Sequence, residues 1–208
     1  MARAVIFDLG GVVFPSPFEA FDAHDLDADL PAGSVRALIR TSSEAGAWAA
    51  LERGELSLSD FYAALAAEAS AAGFTLDAEA LMNRVAKGFG PRPAMVVAIR
   101  RIREAGLRVG ALTNNWPHAE GAEFPPTGHG LGFDVVIESA VVGLRKPDPR
   151  IYELVLRELE VDATEAVFLD DLGINLKPAR AMGMTTIKVT DPNDALTELG
   201  AVVGLELV

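Results

Sequence analysis

Four short apolar runs in the sequence are each followed by polar residues of the types that metal binding and phosphate chemistry use. The runs lie at residues 4–7, 109–112, 135–137 and 166–169. The polar segments after them are Asp8-Leu9-Gly10-Gly11, Thr113-Asn114-Asn115, Arg145-Lys146-Pro147-Asp148 and Asp170-Asp171 with Asn175 shortly after. One carboxylate after a strand usually does no more than cap a turn or a helix. Four such strand ends in one chain indicate a shared site instead.

Three carboxylates, those of Asp8, Asp170 and Asp171, would converge at such a site. Unpaired like charges at short range are costly, so at least one carboxyl would tend to protonate unless a cation is bound. With oxygen ligands and no cysteine, Mg²⁺ is the ion that we expect. Lys146, the Thr113 hydroxyl and the backbone N–H groups of the glycine turn at Gly11 would hold a phosphate or a similar oxyanion. A carboxylate beside that oxyanion could act as a nucleophile.

The elements that would position these residues read as a parallel α/β sheet. Apolar runs, including a fifth at residues 185–189, alternate with helical patterns at 93–105, 149–159, 176–182 and 194–199. Ligands of such open sheets bind just beyond the carboxyl ends of the strands, where the polar segments fall. The sequence therefore predicts an α/β fold with a Rossmann-like parallel sheet.

A helical insertion is predicted between the first strand and the rest of the sheet. Residues 16–90 are rich in Ala, Glu, Leu and Asp, and prolines stand at both ends of this stretch. Ser34, Ser57 and Asp77 can each cap a helix, with Gly73 and Gly88 as stops for the second and third. We predict a small all-α cap at 16–90 and an α/β core formed by 1–15 and 91–208.

Composition narrows the classes of partner. The chain of 208 residues has 18 Lys and Arg against 30 Asp and Glu, a net charge of −12, and no cysteine. A chain without a basic surplus is not expected to bind nucleic acid or an anionic membrane surface. Asp8 interrupts the first apolar run, and no stretch approaches the roughly 20 apolar residues of a membrane span. The expected location is the cytoplasm.

The four polar segments resemble the four motifs of the haloacid dehalogenase (HAD) superfamily, in its order. The stretches FDLGG, LTNN, RKPDP and FLDDLGIN carry the resemblance, which covers almost the whole chain. The insertion corresponds to the subclass that has a helical cap after motif one. Residues 146–207 are especially similar to the N-terminal phosphatase domain of soluble epoxide hydrolases. FDLGGVV followed by PSP is closer to the HAD domain of the acyl-CoA dehydrogenase family-member-10 proteins.

The resemblance implies a hydrolase that acts on a small phosphorylated metabolite. Asp8 would be the nucleophile that forms an aspartyl-phosphate, and Lys146 would hold it and neutralise charge in the transition state. The remaining roles implied are substrate binding by Thr113, Asn114 and Gly11, Mg²⁺ binding by Asp8, the Gly10 carbonyl and Asp171, and support of that site by Asp170 and Asn175. The protein would be a monomer or a homodimer.

One position departs from the phosphatases of this family. They carry a second Asp two residues after the nucleophile, which protonates the leaving group and later activates water; here the residue is Gly10. A positioned acid–base group contributes about 10²–10⁴ in rate. Three readings remain: a slow or specialised phosphatase, a degenerate protein that binds a phosphorylated ligand or a partner, and a metal-independent 2-haloacid dehalogenase. The Asp170-Asp171 pair argues against the third.

The cap could compensate for the missing acid and set the substrate range. Glu19, Asp22 and His24 are candidates for a replacement acid, because they lie early in the insertion. Phe18, Trp48 and Leu51 are candidates for the residues that close over the site. The loop residues Trp116 and His118 are expected to be packed and solvated, respectively, rather than functional.

Overall fold

A five-stranded parallel sheet forms the centre of the molecule in the computed structural model, which describes residues 1–87, 90–118 and 127–208. The strand order is β3-β2-β1-β4-β5, so β1 is central. The strands are β1 (Ala4–Phe7), β2 (Arg108–Thr113), β3 (Val135–Glu138), β4 (Ala166–Asp170) and β5 (Thr185–Lys188). Residues of β1 and β4 are buried throughout, as expected of central strands covered on both faces. The predicted α/β fold is confirmed.

Helices cover both faces of the sheet. They are α6 (Pro93–Glu104), α7 (Ser139–Val142), α8 (Pro149–Leu159), α9 (Gly173–Ala181) and α10 (Pro192–Val203). One apolar cluster joins α6 and α10 to the sheet, and a second joins α8 and α9 to its other face. Because the two faces are sealed in this way, the polar strand ends are left as the part of the sheet open to a ligand.

Five further helices come after β1 and build an apolar cluster of their own. They are α1 (Pro17–Asp27), α2 (Ser34–Ser42), α3 (Ala47–Glu52), α4 (Leu58–Ala71) and α5 (Ala78–Ala86). Phe21, Trp48 and Phe61 lie at the centre of this cluster, with edge-to-face ring contacts at 5.3 and 5.7 Å. We refer to α1–α5 as the cap. The exact division at residues 15/16 and 90/91 stays a prediction.

Two of the helix N-caps predicted from the sequence are present in α4 and α5. The Ser57 hydroxyl accepts a hydrogen bond from the Asp60 N–H, and the Asp77 carboxylate accepts one from the Ala80 N–H. Ser34 is different, since it lies inside α2 as its first residue. The predicted stop at Gly88 lies outside the described residues.

The largest differences from the predicted helix boundaries in the core lie at the start of α9 and the end of α10. α9 begins at Gly173 rather than 176, since the Asp170 carboxylate accepts from the Leu172 N–H and turns the chain into a helix at once. α10 continues through Gly200 to Val203 instead of ending before it. The chain after α10 folds back onto Gly200, where a Cβ would lie 2.5 Å from the Leu205 carbonyl oxygen. Gly200 therefore serves close packing rather than helix termination.

Within the described part of the chain, no helix has the length and the apolar character needed to cross a membrane.

Candidate active site

Asp8 stands at the end of the central strand and is buried. The residue is only 7% exposed, and its Oδ1 accepts hydrogen bonds from the Leu9 N–H at 2.7 Å and from the Lys146 ammonium at 2.8 Å. Both donors contact Oδ1, and among the described residues none is found on Oδ2. Oδ2 is therefore the atom left to bind a cation or to attack an electrophile.

Lys146 lies between two carboxylates. Its Nζ is 2.8 Å from Asp8 Oδ1 and 2.7 Å from Asp170 Oδ2, and the side chain is 1% exposed. A buried ammonium is tolerable only when it is paired and hydrogen-bonded, and this one is. The sequence-predicted neighbours Asp8, Lys146 and Asp170 are thus brought into direct contact.

Asp170 is fully buried and its oxygens are occupied by donors. Besides Lys146, it accepts from the Asn175 amide at 3.0 and 3.1 Å and from the Leu172 N–H at 2.8 Å. Asn175 reaches it because α9 starts three residues earlier than the sequence pattern indicated. Asp170 therefore contacts both Lys146 and the start of α9, and Asn175 contacts Asp170. Their support of a metal site stays a prediction.

Carboxylate oxygens of Asp8, Asp170 and Asp171 come within 4.8 Å of one another. An all-oxygen set of this kind suits a hard divalent cation such as Mg²⁺. Since donors occupy Asp170, the groups free to hold the ion are the carboxylates of Asp8 and Asp171. Gly10, whose carbonyl the family resemblance implies as a further ligand, lines the same cavity. The residues present fit the ion.

Burial and mutual repulsion perturb these carboxyls. Burial raises the pKa of Asp8 well above its usual range, and the charges of Asp170 and Asp171 add to this, although Lys146 opposes it. Burial, with the charge of Asp170, raises the pKa of Asp171 to about 6. Burial alone would lower the pKa of Lys146, but the charges of Asp170 and Asp8 outweigh it and raise that pKa. A bound cation would favour the ionised carboxylates.

The stability of the metal-free protein should fall as pH rises through the range set by Asp171. A carboxyl whose pKa is higher in the folded state binds more protons there than in the unfolded state, so stability decreases between pH of about 4 and 6. Mg²⁺ and a proton compete for the Asp171 carboxylate. The Mg²⁺ affinity should therefore rise by up to about tenfold per pH unit across this window. Urea unfolding at pH 5, 6 and 7, with EDTA and with Mg²⁺, checks this. Equal stabilisation by Mg²⁺ at all three pH values would contradict it.

Gly11 packs directly against Asp171. A Cβ on Gly11 would overlap a carboxylate oxygen of Asp171 and lie 2.5 Å from its Cγ, and the backbone has φ of +80°. Only glycine meets both conditions. The glycine turn is thus what lets the carboxylates of motif one and motif four approach each other.

Replacing Gly11 with Ala should displace Asp171 and weaken Mg²⁺ binding by at least about tenfold. Gly106→Ala is the matched control, because Gly106 has φ of +86° with no atom near its Cβ. Both variants should lose about 1–2 kcal/mol of unfolding free energy through the left-handed backbone, while only Gly11→Ala should lose metal affinity. Isothermal titration with Mg²⁺ tests this, and equal Mg²⁺ affinity in the two variants would disprove the role of Gly11.

Thr113 and Asn114 are placed differently from each other. Asn114 lines the cavity above Asp8, but its amide is engaged: its Oδ1 accepts from the Lys146 N–H at 2.8 Å, and its Nδ2 donates to the Lys146 carbonyl at 3.1 Å. Thr113 is 3% exposed and, like Gly11, is not among the described residues that line this cavity. Asn114 therefore holds the Lys146 backbone, while phosphate binding by Thr113, Asn114 and Gly11 stays a prediction.

A cavity of about 560 Å³ lies between the cap and the strand ends. Its floor includes Asp8, Gly10, Lys146 and Asp171, and four aromatic side chains line its walls: Phe18, Phe21, Trp48 and Trp116. Phe18 and Trp48 are the residues that the sequence predicts to close over the site. Leu51 is predicted to do so too, but it is fully buried in the cap cluster and does not line the cavity. Trp116 is buried, as the expectation of loop packing requires, yet it also lines the cavity.

The prediction that an acid on α1 replaces the missing carboxyl is wrong. Glu19, Asp22 and His24 all lie on α1, but none is among the described residues that line the cavity. Asp22 pairs with Arg36, and His24 is buried beside Arg84, where burial and that positive charge lower its pKa. The part of α1 that faces the site contributes Pro17, Phe18 and Phe21 instead. The direction of each side chain on α1 determines whether it reaches the cavity, and closeness to Gly10 in the sequence does not predict that direction.

Sequence reasoning missed Glu52, a buried cap carboxylate that lines the cavity. It accepts hydrogen bonds from Arg145 and Asn114, which are 93 and 62 residues away along the chain. Neither the spacing nor a motif marks it, since it is the last residue of a short helix whose residues are mostly buried. Only the contact between the cap and the core reveals it.

A family model described as haloacid dehalogenase-like hydrolase matches residues 2–183. The chain belongs to the haloacid dehalogenase-like hydrolase family. The match takes in all four motifs and therefore every residue of the candidate site. The resemblance inferred from FDLGG, LTNN, RKPDP and FLDDLGIN is confirmed.

Some curated relatives contain this HAD unit as part of a longer chain. The chain is 39% identical over 212 residues to acyl-CoA dehydrogenase family member 10 of Mus musculus, covering 99% of this chain and 19% of that protein. It is 32% identical over 224 residues to bifunctional epoxide hydrolase 2 of Sus scrofa, covering 99% and 40%. The chain thus spans about a fifth and two-fifths of these relatives. Over 212 residues it is 28% identical to a sesquiterpene phosphatase of Aspergillus oryzae, covering 97% of both chains.

Solved structures share the HAD fold. A HAD family enzyme from Bacteroides thetaiotaomicron, crystallised with magnesium and inorganic phosphate, superposes with a TM-score of 0.63 at 18% identity, covering 90% of this chain and 94% of that one. At this identity the likeness shows the fold alone. The chain is therefore a HAD-like hydrolase by family and by fold.

Proposed function

We propose that this HAD domain is a Mg²⁺-dependent phosphatase that hydrolyses a small phosphorylated metabolite through an aspartyl-phosphate on Asp8. The observation that carries the proposal is the buried Lys146, whose ammonium bridges Asp8 and Asp170 on the floor of a cavity that Asp171 also lines. This arrangement supports the proposal because it combines a carboxylate nucleophile, a fixed positive charge and carboxylates of a kind that can hold a cation. A phosphoryl group needs all three.

Each residue then has one task. A carboxylate oxygen of Asp8 attacks phosphorus, the bond from phosphorus to the leaving oxygen breaks, and water later attacks the aspartyl-phosphate to release inorganic phosphate. Lys146 holds Asp8 and neutralises the charge that develops on the phosphoryl oxygens. Asp8, Asp171 and the Gly10 carbonyl would hold Mg²⁺, which supplies charge neutralisation for the phosphoryl group. Asp170 and Asn175 keep Lys146 in place.

Gly10 restricts the leaving group. Position 10 has no carboxyl, α1 offers no replacement acid, and the cavity carboxylates of Glu44 and Glu52 are paired with Arg145. The alcohol of an alkyl ester would therefore leave without help from a positioned acid. The phenolate of an aryl phosphate and the carboxylate of an acyl phosphate leave as stable anions and need no proton from an acid. The domain should therefore hydrolyse aryl and acyl phosphates much faster than alkyl phosphates.

Several features support the phosphatase proposal over its alternatives. A relative of the same length is named a phosphatase, and a HAD neighbour was crystallised with magnesium and phosphate. The acidic balance of the chain favours a small-molecule substrate over nucleic acid or a membrane. A cytoplasmic monomer or homodimer is part of the same proposal. The second candidate is a domain that binds a phosphorylated ligand without turnover, which Gly10 favours.

Hydrolysis of p-nitrophenyl phosphate and acetyl phosphate, each with Mg²⁺ and with EDTA, tests the proposal. We expect phosphate release that depends on Mg²⁺. Binding of inorganic phosphate in the presence of Mg²⁺ without any hydrolysis would favour the second candidate. Chloride release from 2-chloropropionate in EDTA would favour the dehalogenase alternative.

A further inference from the structure

Glu52 is a cap residue whose carboxylate reaches into the core. It is 7% exposed, stands at the end of α3, and accepts three hydrogen bonds. The Trp48 indole N–H donates to Oε1 at 2.9 Å, the Arg145 guanidinium to Oε2 at 2.7 Å, and the Asn114 amide to Oε2 at 3.3 Å. One donor comes from the cap itself and two come from the loops that carry the second and third motifs.

These contacts continue to the nucleophile. Asn114 brackets the Lys146 backbone, since it accepts from the Lys146 N–H and donates to the Lys146 carbonyl. The Lys146 ammonium in turn contacts Asp8. An unbroken series of polar contacts therefore runs from the cap carboxylate through Asn114 and Lys146 to Asp8.

The chemistry at this position needs a carboxylate. Three donors converge on two oxygens, and a carboxylate offers acceptors only, whereas a glutamine would turn its own NH₂ toward one of the donors. Removing the group would leave the Arg145 charge and the Asn114 amide partly unpaired in a buried setting, which is costly.

Glu44 provides a natural comparison. It pairs with the other side of the same guanidinium, Arg145 Nη1, at 2.5 Å, but its side chain is 65% exposed, and among the described residues its polar contacts do not include Asn114. Both glutamates attach the cap to Arg145. Only Glu52 also touches the residue that holds Lys146.

We propose that Glu52 is a positioning residue, through which the seated cap holds Asn114 and thereby fixes Lys146 against Asp8. The inference rests on the proposed phosphatase function. It makes the cap part of the catalytic geometry and not only a cover that selects substrates. Lys146 is correctly aligned only while the cap sits on the core.

The test uses acetyl phosphate, a substrate too small to fill the cavity, so that cap contacts with the substrate do not dominate the rate. Glu52→Ala should lower kcat by about tenfold with little change in KM, and Glu52→Gln should lower it less. Glu44→Gln should change kcat less than about twofold, because it weakens the attachment of the cap without touching Asn114.

A double-mutant cycle with Asn114→Ala separates positioning from adhesion of the cap. If Glu52 acts through Asn114, the further loss of kcat caused by Glu52→Ala should disappear in the Asn114→Ala background. Urea unfolding of the same four proteins should show the same non-additivity. Losses of kcat that multiply fully, or a change confined to KM, would overturn the inference while leaving the phosphatase function intact. Absence of turnover by the wild-type protein would overturn the phosphatase function itself.

Discussion

Replacing Asp8 with Asn should abolish Mg²⁺-dependent phosphate release from p-nitrophenyl phosphate and acetyl phosphate. The substitution preserves the size of the side chain and removes the oxygen that would attack phosphorus. We expect a loss of at least about 10³-fold in kcat, because covalent catalysis has no substitute in this site. Initial rates of phosphate release at saturating substrate measure the effect.

The stability of the same variant is its control. In the metal-free protein, burial and the charges of Asp170 and Asp171 already oppose ionisation of Asp8. A neutral Asn should therefore leave the unfolding temperature unchanged or raise it, even though Lys146 keeps only Asp170 as its carboxylate partner. Asp8→Asn protein that remains folded and retains more than a tenth of the wild-type rate would show that Asp8 is not the nucleophile.

Replacing Gly10 with Asp should raise the rate of hydrolysis of alkyl phosphates by about 10²–10⁴-fold. The site has room for the new side chain. A Cβ on Gly10 would meet only Pro17 Cδ at 3.7 Å, an ordinary contact, and the backbone does not adopt positive φ there. Gly10 faces the cavity, so the carboxyl can reach a leaving oxygen. Hydrolysis of acetyl phosphate should rise less, since acetate leaves without a proton and only the second step, attack of water on the aspartyl-phosphate, gains from the new carboxyl.

Gly10→Asn is the matched control for this gain. It has almost the same volume and polarity as Asp but no proton to donate at neutral pH. We expect Gly10→Asn to hydrolyse alkyl phosphates no faster than the wild type. An equal gain in both variants would mean that the side chain acts by filling space, and no gain in either would remove Gly10 as the cause of weak activity.

The sheet and the position of the site can be predicted from the sequence because both depend on local patterns. Continuous apolar runs such as Ala4–Phe7 mark strands buried on both faces, and parallel strands place the residues after their carboxyl ends at one edge of the sheet. Asp8, Lys146 and Asp170 are in contact for this reason, although they are far apart in the sequence. The helix N-caps at Ser57 and Asp77 could be predicted as well, because an N-cap involves only a few neighbouring residues.

The features that the sequence did not reveal depend on tertiary contacts. Helices α1 and α3 were not predicted, since α3 has only six residues and α1 shows little segregation of apolar and polar faces. The sequence predicts that Gly200 ends a helix, whereas in the structure the chain beyond α10 packs on it. Glu52 and Arg145 meet only because α3 sits over the third motif. Such contacts have no local signature.

Formation of an aspartyl-phosphate on Asp8 is the most direct test of the central claim. Without a carboxyl at position 10 to activate water, the second step should be slow, and the phosphorylated enzyme should accumulate. Wild-type protein mixed with acetyl phosphate and Mg²⁺, quenched in acid and analysed by mass spectrometry, should carry one phosphoryl group on the peptide that contains Asp8. The label should be absent with EDTA and in Asp8→Asn, and reduced in Gly10→Asp. Wild-type protein that carries no phosphoryl group on Asp8 under these conditions would contradict the account.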